Sequence, residues 1–533
     1  METEVDFIDS RKASVISDVK SLSRRVSELD PATFEEAIAE TKFGKFNLLL
    51  FVLAIPASLC TVFDTSTMSY TFVAAQCDLE LSLDDKGLLN AVTYAGMISS
   101  AIIWGFLFDV LGRKKLLVIG FLVDSIFVFT SALTQNIALL LVTKYLQGFI
   151  INGPFAALSS YMSEFHSAKY RPMCQIIIGS CNSFGTAFLP LIAWLILPYK
   201  IDFFVGDYSF HSWNIFLLVS GLPAFTSGLF YMFLPESPKF LMTCGQNEKA
   251  LEVLRRVYSI NTGEPRGSYP IKLLIDETKL NGNSKHGGKV TAQRSTTQAL
   301  KEGLQQIKPL FYPPHLAKVC LTCSIMFFSV MSLNMLRLWL PQIFQTMTDY
   351  QIMHDGASAS LCTMLEIITP TNSSISGKCV VNTDNSTIYI NSIIVGSTAI
   401  CGYILVGTLI RLLGKKKILL VVQCLGGGFC IGMYFSQQPS VALACSAIFI
   451  ACGSLSSNIV ISVTVDLFPT TLRTLAIALG MMIGRIGALG GNLVFPFLIK
   501  SGCEPPFFVV GGFMIAAALL SLLLPNTDMQ ALQ

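Results

Sequence analysis

Gly105-Phe106-Leu107-Phe108-Asp109-Val110-Leu111-Gly112-Arg113-Lys114-Lys115 is a short basic turn pinned between two long apolar runs. Gly407-Thr408-Leu409-Ile410-Arg411-Leu412-Leu413-Gly414-Lys415-Lys416-Lys417 repeats its glycines, the charge between them and its basic end, 302 residues further on. Glu164 and Arg171 are echoed by Asp466 and Arg473, and Gly185 by Gly487, each again 302 residues apart. Two charged motifs and a glycine on one offset describe two homologous halves.

With 533 residues, 52% of them hydrophobic and 13% charged, the chain is far from a soluble composition and reads as a polytopic membrane protein. Residues 1–45 are polar and hold no signal peptide, so the first long apolar segment is expected to direct insertion. About 30 of the 37 Lys and Arg fall on the side of the N-terminus, with Lys86, Lys200, Lys378 and Lys500 opposite. The positive-inside rule then puts both termini in the cytoplasm, with an even number of spans.

Residues 1–30 are Ser-rich and charged and read as a disordered tail holding one basic-directed kinase string, Arg24-Arg25-Val26-Ser27. Asp30-Pro31 suits an N-cap and first helical position for a short lead-in helix through Phe34, Ala37 and Ile38. Apolar runs of spanning length follow at about 46–75, 88–108, 116–134, 138–163, 173–197 and 212–234. Six more lie at about 316–343, 388–410, 417–435, 439–465, 474–498 and 505–524. The expected fold class is an all-α membrane protein of twelve transmembrane helices in two pseudo-symmetric six-helix bundles. The expected division is a tail with its lead-in at 1–45, bundles at 46–234 and 316–524, a cytoplasmic linker at 235–315 and a cytoplasmic tail at 525–533. The linker opens with Pro235-Glu236-Ser237-Pro238-Lys239 and reads as helical pieces too short on apolar residues for a core of their own. The loop at 344–387 carries sequons at Asn372 and Asn385, and the cysteines Cys362 and Cys379. Glycosylation and a Cys362–Cys379 disulfide both suit a lumenal or extracellular loop.

The two basic turns, the Glu164/Arg171 and Asp466/Arg473 pairs and Pro235 to Lys239 together resemble the major facilitator superfamily over essentially the whole chain after residue 40. Within it, Phe210-His211-Ser212-Trp213, Asp466-Leu467-Phe468-Pro469-Thr470 and the lead-in from Phe34 to Phe46 are similar to the branch of synaptic vesicle glycoprotein 2. That branch neighbours the organic anion and cation transporters. The segment 344–387 departs from it, being much shorter than its lumenal loop and without pentapeptide-like repeats. The resemblance implies the major facilitator fold and alternating access, with helices 1, 4, 7 and 10 lining a central cavity. It also implies a conformational latch built from Gly105, Asp109, Gly112, Arg113, Glu164 and Arg171, and in the second half from Gly407, Arg411, Gly414, Asp466 and Arg473. In that latch Asp109 meets a neighbouring helix N-terminus and Arg113 an acid such as Glu164, holding the outward-open state and releasing it on inward opening. The alternative is a solvated basic loop that only obeys the positive-inside rule.

Ionisable groups inside spans cost about 2.5–3.5 kcal/mol or more each and count as functional candidates. Asp64, Lys144, Arg337 and Arg485 are the candidates for substrate binding or coupling, whereas Asp124 sits on a third span expected to be peripheral. Asp64 with Lys144 is similar to the Asp and Arg of proton-coupled sugar symporters, which implies a carboxylate protonated in one state and paired with the base in the other. A static ion pair and direct substrate contact stay open. Arg485 resembles the helix 11 arginine of organic anion transporters and offers a carboxylate or phosphate a bidentate site, with Arg337 as a second positive group; capping of a neighbouring helix is the alternative. Phe327 to Ser332 stands where hexose transporters carry a glutamine pair, which argues against a sugar. No phosphate-cradling loop, metal-ligand cluster or hydrolase spacing is legible, so no enzyme, metal or cofactor is expected. The expected protein is a monomeric, lipid-embedded secondary active transporter of small organic anions, with protons as the coupling partner and no nucleic acid, in a plasma membrane or a synaptic or secretory vesicle membrane. The competing expectation is a vesicle membrane protein with a receptor or trafficking role and little transport.

Overall fold

The computed structural model describes residues 31–199, 201–205, 208–275, 308–355, 359–365 and 386–525. Asn372, Asn385, Cys379, Lys200, Lys378 and the 1–30 tail with its Arg24 to Ser27 string lie outside them.

Inside hydrocarbon a chain must satisfy its backbone groups internally, so each apolar run closes into a helix. Twelve helical spans stand among the described residues. After the lead-in α1 (Phe34–Glu40), the first half comprises α2 (Lys45–Ala75), α3 (Leu83–Leu111), α4 (Arg113–Ala132), α5 (Ile137–Glu164), α6 (Arg171–Ile196) and α7 (Ser212–Met232). A small antiparallel hairpin, β1 (Phe203–Val205) with β2 (Tyr208–Phe210), precedes α7. Linker helices α8 (Pro238–Thr243) and α9 (Asn247–Thr262) follow. In the second half α10 (Leu316–Arg337) and α11 (Leu340–Met353) form one broken span, and α12 (Leu361–Leu365) is a loop helix. Then come α13 (Thr387–Leu413), α14 (Lys415–Tyr434), α15 (Pro439–Leu467), α16 (Thr470–Lys500) and α17 (Glu504–Leu522).

The repeated turns have one geometry. Gly112 (φ 84°) ends α3 and Gly414 (φ 83°) ends α13, and the next helix starts at once. That φ is open to glycine and strained for other residues, which is why both motifs carry it. Starting α4 on Arg113-Lys114-Lys115 sets positive charge against the positive end of a helix dipole. Glu236 answers it by accepting from the backbone N–H of Lys114 at 2.9 Å and of Ser237 at 2.9 Å.

Two expectations need correcting, the cap of the lead-in helix and the partner of Cys362. The lead-in helix is capped by Thr33, not Asp30-Pro31: Thr33 Oγ1 accepts from the Glu36 N–H and Glu36 Oε2 accepts from the Thr33 N–H. Ala32 is held extended, bridged to Leu274 of the linker. The linker also takes part in a core. It borrows Phe34, Ala37 and Ile38 from α1 and buries them against Leu241, Met242 and Leu254, so neither segment alone has enough apolar surface but the two together do. Finally, Cys362 is joined to Cys503 rather than to Cys379. The N–H of Leu361 donates to the Ser436 carbonyl at 3.0 Å, pinning α12 near the end of α14, where the N-cap of α17 also arrives.

Two close contacts make the packing testable. A Cβ on Gly148 of α5 would fall 1.9 Å from the carbonyl oxygen of Thr93 on α3, so the two backbones touch there. Gly148→Ala is expected to cost at least the upper end of the about 1–3 kcal/mol typical of overpacking, read as loss of the monodisperse peak in detergent chromatography. His166, just after α5, is buried, stacks on the Phe51 ring at 4.9 Å and donates from Nδ1 to the Met162 carbonyl at 2.7 Å. Burial pushes its imidazole below the ordinary value of 6.5. A depressed folded-state value means the contribution to stability is present above about 6.5 and lost as pH falls through the folded value. Thermal stability should therefore drop on acidification, and His166→Phe should flatten that drop.

Candidate functional site

The break between α10 and α11 positions the central site. Pro341 has no amide proton to give the Arg337 carbonyl and cannot continue the helix through the preceding turn, so the chain restarts at Leu340. Arg337 is left at the end of α10, lining a cleft between the two halves. Hydroxyls line it: Ser66, Ser69 and Tyr70 from α2, Thr186 from α6, Ser392 from α13 and Ser454 from α15. The expected lining by helices 1, 4, 7 and 10 holds for the first, seventh and tenth spans. The fourth span, α5, contributes nothing among the described lining residues, and the fifth and eighth take its place.

Arg337 donates from Nη2 to Asn334 Oδ1 at 3.0 Å and to the Tyr94 hydroxyl at 3.4 Å, while its buried Nε has no partner. Tyr94, on α3, in turn donates to Asn334 Oδ1 at 3.0 Å, tying the halves together. Arg485, on α16, does not line the cavity but lies near Tyr94. Among the described residues neither arginine forms an ion pair.

Asp64 and Lys144 lie within the first half. Lys144 is fully buried and donates to Gln147 Oε1 at 2.8 Å and to Thr67 Oγ1 at 3.1 Å. It does not form the expected ion pair with Asp64; its charge reaches the carboxylate only through space, because neutral oxygens already hold the ammonium. Asp64 instead faces Asp124 of α4 within hydrogen-bonding reach. Asp124, on the third span, is wholly buried within the first half. A carboxylate set in an apolar run was the available signal.

The repeated ion pair is realised in both halves. Arg113 Nε meets Glu164 Oε1 at 3.2 Å, and Lys415 Nζ, 302 residues after Arg113, meets Asp466 Oδ2 at 2.6 Å. Arg171 turns away from Glu164 and makes a bidentate contact to Glu35 of α1 at 2.7 and 2.9 Å, whereas the Nε of Arg473 is buried without a partner. Among the described residues, nothing lies within 4 Å of where a Cβ on Gly105 or Gly407 would be, and the side chains of Asp109 and Arg411 are outside what the structure describes.

Among the described residues, the hydrogen bonds between the halves lie away from these turns. Lys500 Nζ meets Asp84 at 2.6 Å, and the buried Lys86 donates to Gln342 Oε1 at 2.8 Å and Gln76 Oε1 at 2.9 Å. The molecule is thus closed at the face opposite the basic turns. Arg113–Glu164 is intact in this state, because both residues belong to one half and the pair does not cross the cleft.

The sequence profile described as Major Facilitator Superfamily matches residues 54–409. The chain belongs to the major facilitator superfamily. A second profile, Sugar (and other) transporter, matches residues 367–532. Synaptic vesicle glycoprotein 2B of Rattus norvegicus is 33% identical over 230 residues, covering 43% of this chain and 34% of that protein. The Homo sapiens protein of that name is 23% identical over 595 residues, covering 94% of this chain and 86% of the relative. Among solved structures, a D-xylose-proton symporter has a TM-score of 0.62 at 17% identity, covering 91% of this chain and 98% of that one. The inward open xylose transporter XylE from E. coli gives 0.61 at 15%, covering 91% and 99%. At such identity the likeness shows the fold alone.

Arg113 and Glu164 are nearly enclosed, at 14% and 8% side-chain exposure, and Ser160 also donates to the carboxylate at 3.0 Å. Arg113→Ala should therefore cost about 3–5 kcal/mol by leaving a buried charge unpaired, and adding Glu164→Gln should recover part of it. A double-mutant cycle of thermal unfolding in detergent reads this out.

Proposed function

We propose that this protein is a secondary active transporter of small organic anions, coupled to protons and working by alternating access. The observation that carries the reading is Arg337, set at a helix break and opening onto a hydroxyl-lined space between the halves, with no carboxylate partner among the described residues. A broken span at a repeat interface is where carriers of this architecture hold their cargo, and a guanidinium beside hydroxyl donors suits a carboxylate or phosphate. Arg485, near Tyr94, supplies a second positive charge close to that of Arg337.

We take both termini as cytoplasmic on the positive-inside pattern, which makes Asn372 and Asn385 lumenal or extracellular and the closed face of Lys86 and Lys500 the outer one. The state seen is then inward-facing. Arg113–Glu164 and Lys415–Asp466 serve as braces that keep each half rigid while the halves rock. Resemblance to synaptic vesicle glycoprotein 2B over most of the chain supports a vesicle membrane and carries the second reading, a vesicle protein that transports little.

Uptake of labelled organic anions, cations and sugars into proteoliposomes, with and without an inward proton gradient, tests this. Anions should enter and the gradient should accelerate them. Arg337→Ala should lower anion kcat/KM by about 10- to 150-fold, the equivalent of losing a hydrogen bond to a charged group at about 1.5–3 kcal/mol. Entry of cations or sugars, unaffected by Arg337→Ala, would overturn the anion site. A correctly inserted protein that moves nothing would favour the second reading.

A further inference from the structure

We propose that the coupling proton is held between two carboxyls, Asp64 on α2 and Asp124 on α4, with Lys144 as their counter-charge. The inference rests on the transport reading and adds to it a residue, a stoichiometry and a charge rule.

Asp64 and Asp124 are 4% and 0% exposed. Oδ2 of Asp64 and both oxygens of Asp124 have no donor among the described residues, although the carboxyls face each other within hydrogen-bonding reach. Two carboxylates are acceptors only, so the contact is a bond when one proton lies between them and a repulsion when none does. The other titratable groups at this point are Cys60 on α2, whose Sγ–H already donates to the Pro56 carbonyl, and Tyr231 on α7, whose hydroxyl has no partner. Ser227 of α7 bonds its own helix at Pro223. Among the described residues, no charged side chain of α3 or α6 acts on the pair, and Lys144 of α5 is the one cation that does.

Charge counting sets the proton number. Two carboxyls and one ammonium in an apolar bundle are neutral with one shared proton and carry one net negative charge without it. A buried net charge is disfavoured, so loss of the proton to water must be matched by a rearrangement: Lys144 leaves Thr67 and Gln147 for the carboxylates, or the carboxylates gain water. One proton passes from water on one side to the carboxyl pair and on to water on the other, and no bond of the substrate changes. A sodium ion is the competing occupant, and Lys144 opposes it by supplying the positive charge that a metal would need to supply.

Infrared difference spectroscopy of the purified full-length protein in lipid counts buried protonated carboxyls without any substrate. At neutral pH the wild type should show one. Asp124→Asn should abolish it, since the single remaining carboxylate is then balanced by Lys144, and Asp64→Asn should do the same. Lys144→Met should double it. Asp124→Glu should keep it, which guards against misfolding as the cause of loss. A protonated band that persists in Asp124→Asn, or a carboxylate spectrum that shifts on adding sodium ions, would overturn the proposal. The pattern of one, none and two bands establishes the shared-proton site. In uptake assays with the labelled anion panel, both asparagine variants should lose gradient acceleration. Acceleration retained by Asp124→Asn would overturn the coupling role. Bands as expected with no uptake of any probe would refute the transport reading and leave the proton site standing.

Discussion

In hydrocarbon an unpaired backbone group or charge costs several kcal/mol, and the main features of this fold follow from where the chain pays that cost or avoids it. It makes helices of twelve apolar runs and confines their breaks to positions covered by protein. The interruption at Leu338 and Trp339 is tolerable because both residues are buried and because the Trp339 N–H finds the Leu336 carbonyl at 3.0 Å. A break facing lipid would expose carbonyls with nothing to meet them. Facing the cleft, it releases an arginine into the space between the halves, so backbone discontinuity and binding chemistry occur together.

The two halves share a plan but differ in how they treat polar groups at their centres. In the second half, Gln423 of α14 donates to Ser329 at 3.2 Å and Ser456 at 3.0 Å, and accepts from Ser521 at 2.7 Å. That network is neutral and its members are satisfied, so it fixes the packing of four helices and has little reason to change. At the equivalent third span of the first half stands Asp124, orphaned beside Asp64 and Lys144. A charged, under-satisfied cluster on one side of a molecular twofold and a closed neutral network on the other is the asymmetry expected where one half senses a proton and the other serves as its partner.

The offset of 302 residues made most of this architecture legible: turns and helix count follow from the repeat and from apolar run length. What was not legible depended on distance in space. Cys379 is the nearer cysteine in sequence, but Cys503, 141 residues from Cys362, is the one the fold delivers. Lys415 stood in plain view as the repeat of Arg113, yet only the structure shows it bonded to Asp466. Asp124 was set aside because its helix was assigned a place and not a face. The break after Arg337 had a signal in Leu340-Pro341, but a proline in an apolar run marks a kink as readily as a gap, and Pro56 and Pro154 lie inside unbroken helices.

Communication between the charged cluster and the cavity needs no long path, because α2 carries both. Asp64 lies two residues before Ser66 and six before Tyr70, the latter two lining the space beside Arg337. Helix geometry puts all three within two turns of one another, so a shift of α2 large enough to bring water or Lys144 to Asp64 also moves the hydroxyls against which a solute would rest. The same helix packs on α11 across the cleft, just beyond the break. A change in charge within the first half can therefore reach the second through one rigid element, at the place where the facing span is already interrupted and least able to resist it.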